Sequence, residues 1–261
     1  MPYRFVRARV DYADLAAGQA LYNLPGRPAF PVRLASEIFQ RCMVLRSGAG
    51  VDAPCALYDP CCGGAYLLTT LAFLHRGEVR AVIGSDADPE ALRLAEKNLS
   101  LLTPAGMDAR IAQIRGMIES YGKESHVRSL ESALRLREYL EEHQDRRLTT
   151  RLFLADATDE AAMLAGLGPE TADVVITDLP YGQRTDWLVS DVVLRSGRSP
   201  VWHLLDALRP VLSSGAVVAV ASDKGQKAEH EEYRRADRFQ IGKRRVSLLT
   251  PRASPPGDDT P

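Results

Sequence analysis

The chain is short of cysteine, of net charge and of long apolar runs, and each shortage excludes something. Its four cysteines are Cys42, Cys55, Cys61 and Cys62. They lack zinc spacing, because adjacent Cys61 and Cys62 cannot easily aim both thiols at one ion. The five histidines, His75, His126, His143, His203 and His230, show no ligand spacing either, so no metal is expected. Few cysteines and no secretory N-terminal pattern lead to the expectation of a reduced, cytoplasmic setting. A net charge of −1 provides no global positive field, so any nucleic-acid contact must come from local patches. The longest apolar runs, such as Ala216–Ala221, are far too short to span a bilayer.

What is present suits an ordinary packed core. The chain has 261 residues, 45% hydrophobic and 26% charged, enough for one α/β domain. Short apolar strands are predicted at 56–59, 79–85, 152–154, 174–177 and 216–221. Helices are predicted after Pro31, at 66–74, at 89–101 with Pro89 in the first turn, and at 201–208. This alternation implies βαβ units and a doubly wound, mostly parallel sheet. Two closing strands, 239–241 and 246–250 around Gly242, break the pattern, so one of them is expected to run antiparallel at an edge. About fifty residues separate the helix after Asp86 from the third strand. Within them Ile111, Ile114, Ile118 and Tyr121, then Leu130 and Leu134, recur at helical spacing. We expect a two-helix insertion over 102–150, joined near Gly122-Lys123. A structural cap is its plainer role and a substrate clamp the sharper one. Residues 1–250 read as a single domain with an N-terminal segment over 1–45, and the Pro- and Asp-rich tail from 251 is expected to be disordered.

The fourth strand ends in Thr177-Asp178-Leu179-Pro180-Tyr181-Gly182. The carboxylate of Asp178 can accept a hydrogen bond from an exocyclic amine. Pro180 has no N–H, which leaves nearby carbonyls able to accept a second proton. Tyr181 offers a face on which a base can stack. The bland alternative is a buried strand followed by a turn. The segment Asp59-Pro60-Cys61-Cys62-Gly63-Gly64-Ala65 leaves a strand and enters a helix, where small residues let a ligand approach the backbone and helix N–H groups face an anion. Asp86, 23 residues after Gly63, suits an acid holding two ribose hydroxyls, and Asp156 could reach an adenine amine. Each element sits at the C-terminal end of a strand, where open α/β sheets bind ligands.

This order of motifs resembles class I S-adenosylmethionine-dependent methyltransferases. The fourth motif resembles the (Asn/Asp)-Pro-Pro-Tyr signature of amino-nitrogen methylation, with Leu179 at the first proline. The closer resemblance is to AviRa-type avilamycin-resistance rRNA methyltransferases. It rests on Pro28-Ala29-Phe30-Pro31-Val32-Arg33-Leu34-Ala35, Glu37-Ile38-Phe39-Gln40-Arg41, Asp59-Pro60-Cys61-Cys62-Gly63, Lys97-Asn98-Leu99 with Pro104-Ala105-Gly106, and Thr177–Gly182. The resemblance implies a seven-stranded methyltransferase fold, S-adenosylmethionine as donor, and a guanine in large-subunit 23S rRNA, naked or in a ribosomal particle, as acceptor. It also implies resistance to an orthosomycin antibiotic, and the protein is expected to act as a monomer without a membrane.

By the same resemblance, Asp59, Cys61, Gly63 and Gly64 line the methionine end, with Arg33 for its carboxylate. Asp86 holds the ribose and Asp156 the adenine, while Asp178, Leu179, Pro180 and Tyr181 take the target base. The exocyclic N2 is favoured as the methylated atom, with N1 open. For N2, Asp178 need not be a full general base, because the amine proton becomes acidic after transfer. One departure stands out: Gly64-Ala65 occupy the place of the family's Ser-Gly; Ala is tolerated at the last small position of related turns, but its added methyl is expected to crowd the cofactor and slightly rearrange the turn. Basic edges at Arg4, Arg7, Arg9 and Arg27, and at Arg234, Arg235, Lys243, Arg244 and Arg245, are candidates for RNA or simply solvated faces. Trp187 and Trp202 are read as core residues before stacking platforms. Rival readings are a protein glutamine methyltransferase, a catalytically silent RNA-binding module that kept the fold, and a nicotinamide dehydrogenase. The last leaves the fourth motif unexplained.

Overall fold

The computed structural model describes residues 3–8, 10–23, 29–179 and 196–252. Seven strands form one sheet: β1 (Cys55–Asp59), β2 (Val79–Asp86), β3 (Thr149–Leu154), β4 (Ala172–Asp178), β5 (Leu212–Ser222), β6 (Tyr233–Ile241) and β7 (Arg244–Pro251). Their order across the sheet is β3-β2-β1-β4-β5-β7-β6. The first five pair in parallel, while β7 runs antiparallel to both β5 and β6. The antiparallel strand expected at an edge therefore lies one place in, and β6 forms the edge.

Both faces of the sheet are covered, which is why the strands read as continuous apolar runs rather than alternations. Val174, Ile176, Val217 and Ala219 point into one core with α1 (Val32–Gly48), α2 (Tyr66–Leu74) and α3 (Pro89–Ser100). Tyr58, Val175, Val218 and Val220 point into the other, under two helices that follow β3 and β4, Glu160–Leu167 and Pro200–Leu208.

The insertion is two helices, α4 (Pro104–Tyr121) and α5 (Glu124–Glu142). Thr103 caps α4 through the amide of Gly106, and Pro104 opens its first turn. A Cβ on Gly106 would stand 2.0 Å from the carbonyl oxygen of Ser100, so only glycine fits there. Gly122, at φ 58°, ends the helix in the left-handed conformation. Ile111, Ile114, Ala133, Leu136 and Leu140 are buried against the first core. Tyr121, the last residue of α4, is 68% exposed, and Leu134 is 43% exposed because the buried face of α5 runs through Ser129, Ser132, Ala133, Leu136 and Leu140. The insertion holds the N-terminal segment down. Arg110 donates to the carbonyls of Ala20 and Gln19 at 2.9 and 3.1 Å, and Arg135 pairs with Asp14.

The described residues contain no helix long and apolar enough to cross a membrane.

Candidate active site

Two carboxylates brace the turn between β1 and α2. The amide of Cys61 donates to Oδ1 of Asp59 at 3.0 Å. The amide of Gly63 donates to Oδ2 of Asp86 at 2.7 Å, and the amide of Asp88 donates to the other oxygen at 3.0 Å. The turn is thus tied to the tip of the neighbouring strand. Gly63 has φ 53°, and a Cβ there would meet nothing within 4 Å, so its outer side faces open space. At Gly64 a Cβ would meet Leu94 Cδ2 at 2.6 Å.

Ala65 itself has φ 53° and is fully buried. It caps α2 in a conformation that L-residues with a side chain avoid. Asn98, fully buried on α3, donates to the Gly64 carbonyl at 2.7 Å and the Tyr22 carbonyl at 3.1 Å. It also accepts from the Tyr22 amide at 2.9 Å. Sequence reasoning quoted Asn98 only as part of a motif; its role as the brace of this turn becomes visible in three dimensions.

The acids expected at the strand ends stand there. Asp59 ends β1, Asp86 ends β2, Asp156 follows β3 and Asp178 ends β4. Asp59 is buried, and burial pushes its carboxyl up to about 7, with the charges of Asp86 and Asp178 adding to the shift. Burial, then the Asp59 and Asp86 charges, push the Cys61 thiol well up, so it stays protonated. Asp156 Oδ1 accepts from the amide and hydroxyl of Thr158, both at 2.8 Å.

Burial raises Asp178 to about 6, against the opposing pull of Arg244. Arg244 Nη2 lies 3.6 Å from Asp178 Oδ2, and its guanidinium sits 5.2 Å from the Phe30 ring centroid. Asp178 Oδ1 is buried and has no hydrogen-bond partner among the described residues.

Two residues expected in the site are held by contacts of their own. The side chain of Leu179 is buried in the second core and its amide donates to the Ala221 carbonyl at 2.9 Å, which leaves its backbone carbonyl as the group it could offer a base. Arg33 stands in the first turn of α1, yet its guanidinium donates to the carbonyls of Val6 and Arg7 at 2.7 to 3.1 Å and covers the Tyr3 ring. Pro180, Tyr181, Trp187, Arg9 and Arg27 lie outside the described residues. Trp202 is half-buried and donates to Glu231 at 2.7 Å.

The basic edges meet in part: Arg4 lies 3.6 Å from Asp237 on β6, which brings the N-terminal segment beside the last hairpin. Arg244, a member of the second candidate edge, stands beside Asp178. No signal in the sequence could have paired residues so far apart.

A doubly wound sheet with this strand order, a reversed β7 and acids at the ends of β1, β2 and β4 is a class I methyltransferase fold. The family model described as rRNA methyltransferase AviRa matches residues 1–244. The chain belongs to this AviRa family of rRNA methyltransferases. A relative from Streptomyces viridochromogenes, named 23S rRNA (guanine(2535)-N(1))-methyltransferase, is 44% identical over 250 residues, covering 95% of each protein. Two solved structures of rRNA methyltransferase AviRa from the same organism superpose with TM-scores of 0.82 and 0.83. They are 43% and 42% identical, covering 95% of this chain and 96% of theirs. The name of the curated relative carries N1, where the fourth motif had favoured N2.

Proposed function

We propose that this protein transfers the methyl group of S-adenosylmethionine to N1 of one guanine in 23S rRNA. The observation that carries this is the buried Oδ1 of Asp178, without a partner among the described residues, on a carboxyl whose proton affinity is raised. An exocyclic amine can shed its proton after methylation. The N1 position cannot: its lone pair is available only as its proton leaves. A carboxylate raised to about 6 is a better proton acceptor than an ordinary one and is still ionised at neutral pH. N1 therefore asks of Asp178 the general-base role that N2 did not need.

The residues at the strand ends fit the donor. The open side of Gly63 and the amides at the start of α2 give its methionine end a place to lie. The neighbouring carboxylates Asp86 and Asp178, joined by Asp59 as pH rises through about 7, provide a negative field for a sulfonium cation. Asp59, Cys61, Gly63 and Gly64 would line the methionine end, Asp86 would hold the ribose and Asp156 the adenine. Arg33, whose Nε and Nη2 donate to the carbonyls of Val6 and Arg7, would be the partner of the methionine carboxylate. Bound there, S-adenosylmethionine supplies an electrophilic methyl whose bonding pair leaves with sulfur as a neutral thioether.

This chain's own residues have the remaining tasks. Asp178 takes the N1 proton, and Tyr181 would fix the plane of a guanine that has left its stack. In-line positioning supplies much of the rate. The modified base would protect ribosomes from an orthosomycin such as avilamycin, and the enzyme would work as a cytoplasmic monomer folded as one domain over residues 1–250.

The experiment is transfer of label from tritiated S-adenosylmethionine to rRNA from a strain lacking the gene, with mass spectrometry of the labelled fragment. Label on N1 of one guanine is expected. Label on N2, or on protein alone, would overturn the proposal. Expression in a sensitive strain should raise its avilamycin tolerance.

A further inference from the structure

We propose that Arg244 reads O6 of the target guanine and carries the negative charge that gathers there as N1 gives up its proton; this deepens the N1 reading above and rests on it. Arg244 opens β7 opposite Ile241, at the hairpin that brings the last strands to the active-site end of the sheet. Its Nη2 is 3.6 Å from Asp178 Oδ2, and its guanidinium lies over Phe30. Phe30 is buried, whereas the side chains of Arg244 and Asp178 keep 21% and 25% exposure. The cation thus lies beside the tip of β4, next to the carboxylate proposed to meet the base.

A carboxylate and a guanidinium side by side match one edge of one base. Guanine presents N1–H and O6 on neighbouring positions, a donor beside an acceptor. Asp178 Oδ1, buried and without a partner among the described residues, accepts from N1–H while Arg244 donates to O6. Adenine presents the reverse order, an acceptor at N1 beside an amine, and would set its amine against the arginine.

The same pair does chemistry. The N1–H bond breaks, its proton goes to Asp178, and the electron pair left on N1 forms the new bond to the methyl carbon. Before that bond is complete the pair is delocalised onto O6, where the guanidinium meets it. The carboxylate, the sulfonium and the neutral guanine become a carboxylic acid, a thioether and neutral N1-methylguanine, so charge balances. A cation placed where charge develops in a half-buried site acts as an oxyanion hole does.

The test uses Arg244→Gln and Arg244→Lys in the full chain, on an rRNA fragment with guanine or adenine at the target. For Arg244→Gln, kcat should fall by about 100- to 1,000-fold while KM for the RNA moves little. Added guanidinium should restore part of the lost rate. Arg244→Lys should keep an intermediate rate, which holds the test open if the glutamine variant folds poorly. In direct binding without donor, wild type should favour guanine over adenine by about tenfold, and Arg244→Gln should lose that preference. A raised KM with unchanged kcat, no guanidinium rescue and a kept preference would make Arg244 a phosphate or packing contact and overturn the inference alone. Wild-type label on N2 would overturn the N1 reading and this inference together.

Discussion

The amide of Gly63 donates to Oδ2 of Asp86 at 2.7 Å, so the carboxylate proposed for the ribose also shapes the glycine turn. Its other oxygen accepts from Asp88, which aims the group. Asp86→Ala should weaken S-adenosylhomocysteine binding by roughly 10- to 100-fold, the worth of hydrogen bonds to a charged group. Asp86→Asn keeps an oxygen for Gly63, so it should lose affinity while losing less stability. Calorimetry and thermal melts on both variants separate these effects. Unchanged affinity in both would remove Asp86 from the cofactor site.

Ala65 tests the departure from the family's turn. Its left-handed backbone costs about 1 kcal/mol that glycine would not feel, while its buried methyl contributes about 0.8 kcal/mol. The terms nearly cancel, so Ala65→Gly should change stability by less than about 1 kcal/mol and keep or tighten cofactor binding. Ala65→Val, β-branched in the same conformation, should lose more than about 2 kcal/mol. Urea unfolding of both variants is the check. A large loss of binding in the glycine variant would mean that the methyl itself supports the site.

Asp59 links stability to pH. Its folded carboxyl is raised from 3.8 to about 7, so between these values the native state binds a proton that the unfolded chain does not. Stability contributed by this group is therefore full below about pH 4 and falls as pH rises through 7. The loss is on the order of 4 kcal/mol at about 1.4 kcal/mol per pH unit. Asp59→Asn removes the charge and retains an acceptor for Cys61. It should raise the Tm at pH 8, leave it nearly unchanged at pH 4, and weaken donor binding. An equal change at both pH values would deny the linkage.

The sheet was legible in the sequence because burial on both faces writes apolar runs, and the acids because β1, β2 and β4 each end in one. The strands were too short where burial does not mark them. β3 begins at Thr149 among exposed residues held by backbone pairing to β2. β6 begins at Tyr233 and carries Arg234, Arg235, Asp237 and Arg238, the charges expected of an edge that must resist further pairing. Arg244 was read as an outer basic residue because its place beside Asp178 depends on β7 entering between β5 and β6. That is a tertiary event with no local pattern. Leu179 shows the converse: a motif position fixes the backbone, but the strand's alternation decides which way the side chain points, here into the second core.

Glu37 is the least legible of the residues that matter. From inside α1 its buried carboxylate accepts the amides of Arg4, Phe5 and Val6 at 2.7 to 3.0 Å and pairs with Arg41 at 2.8 Å. Burial alone would raise its carboxyl, but those amides and Arg41 outweigh it and hold it below the usual range. Arg41 also meets Asp237 at 2.7 Å, so the N-terminal strap, α1 and the edge strand share one charge network. Glu37→Gln keeps the shape, leaves Arg41 half-neutralised and sets an amide N–H against backbone donors. It should cost roughly 3 kcal/mol, as breaking a buried pair does. Arg33 is held by the strap carbonyls of Val6 and Arg7, so loosening the strap should also free that guanidinium. Tryptic cleavage after Arg4 and Arg7 should speed up by about tenfold or more. Asp237→Asn, which leaves Glu37 and Arg41 paired, should change cleavage far less. Equal cleavage in wild type and Glu37→Gln would show that the strap is held by something other than this carboxylate.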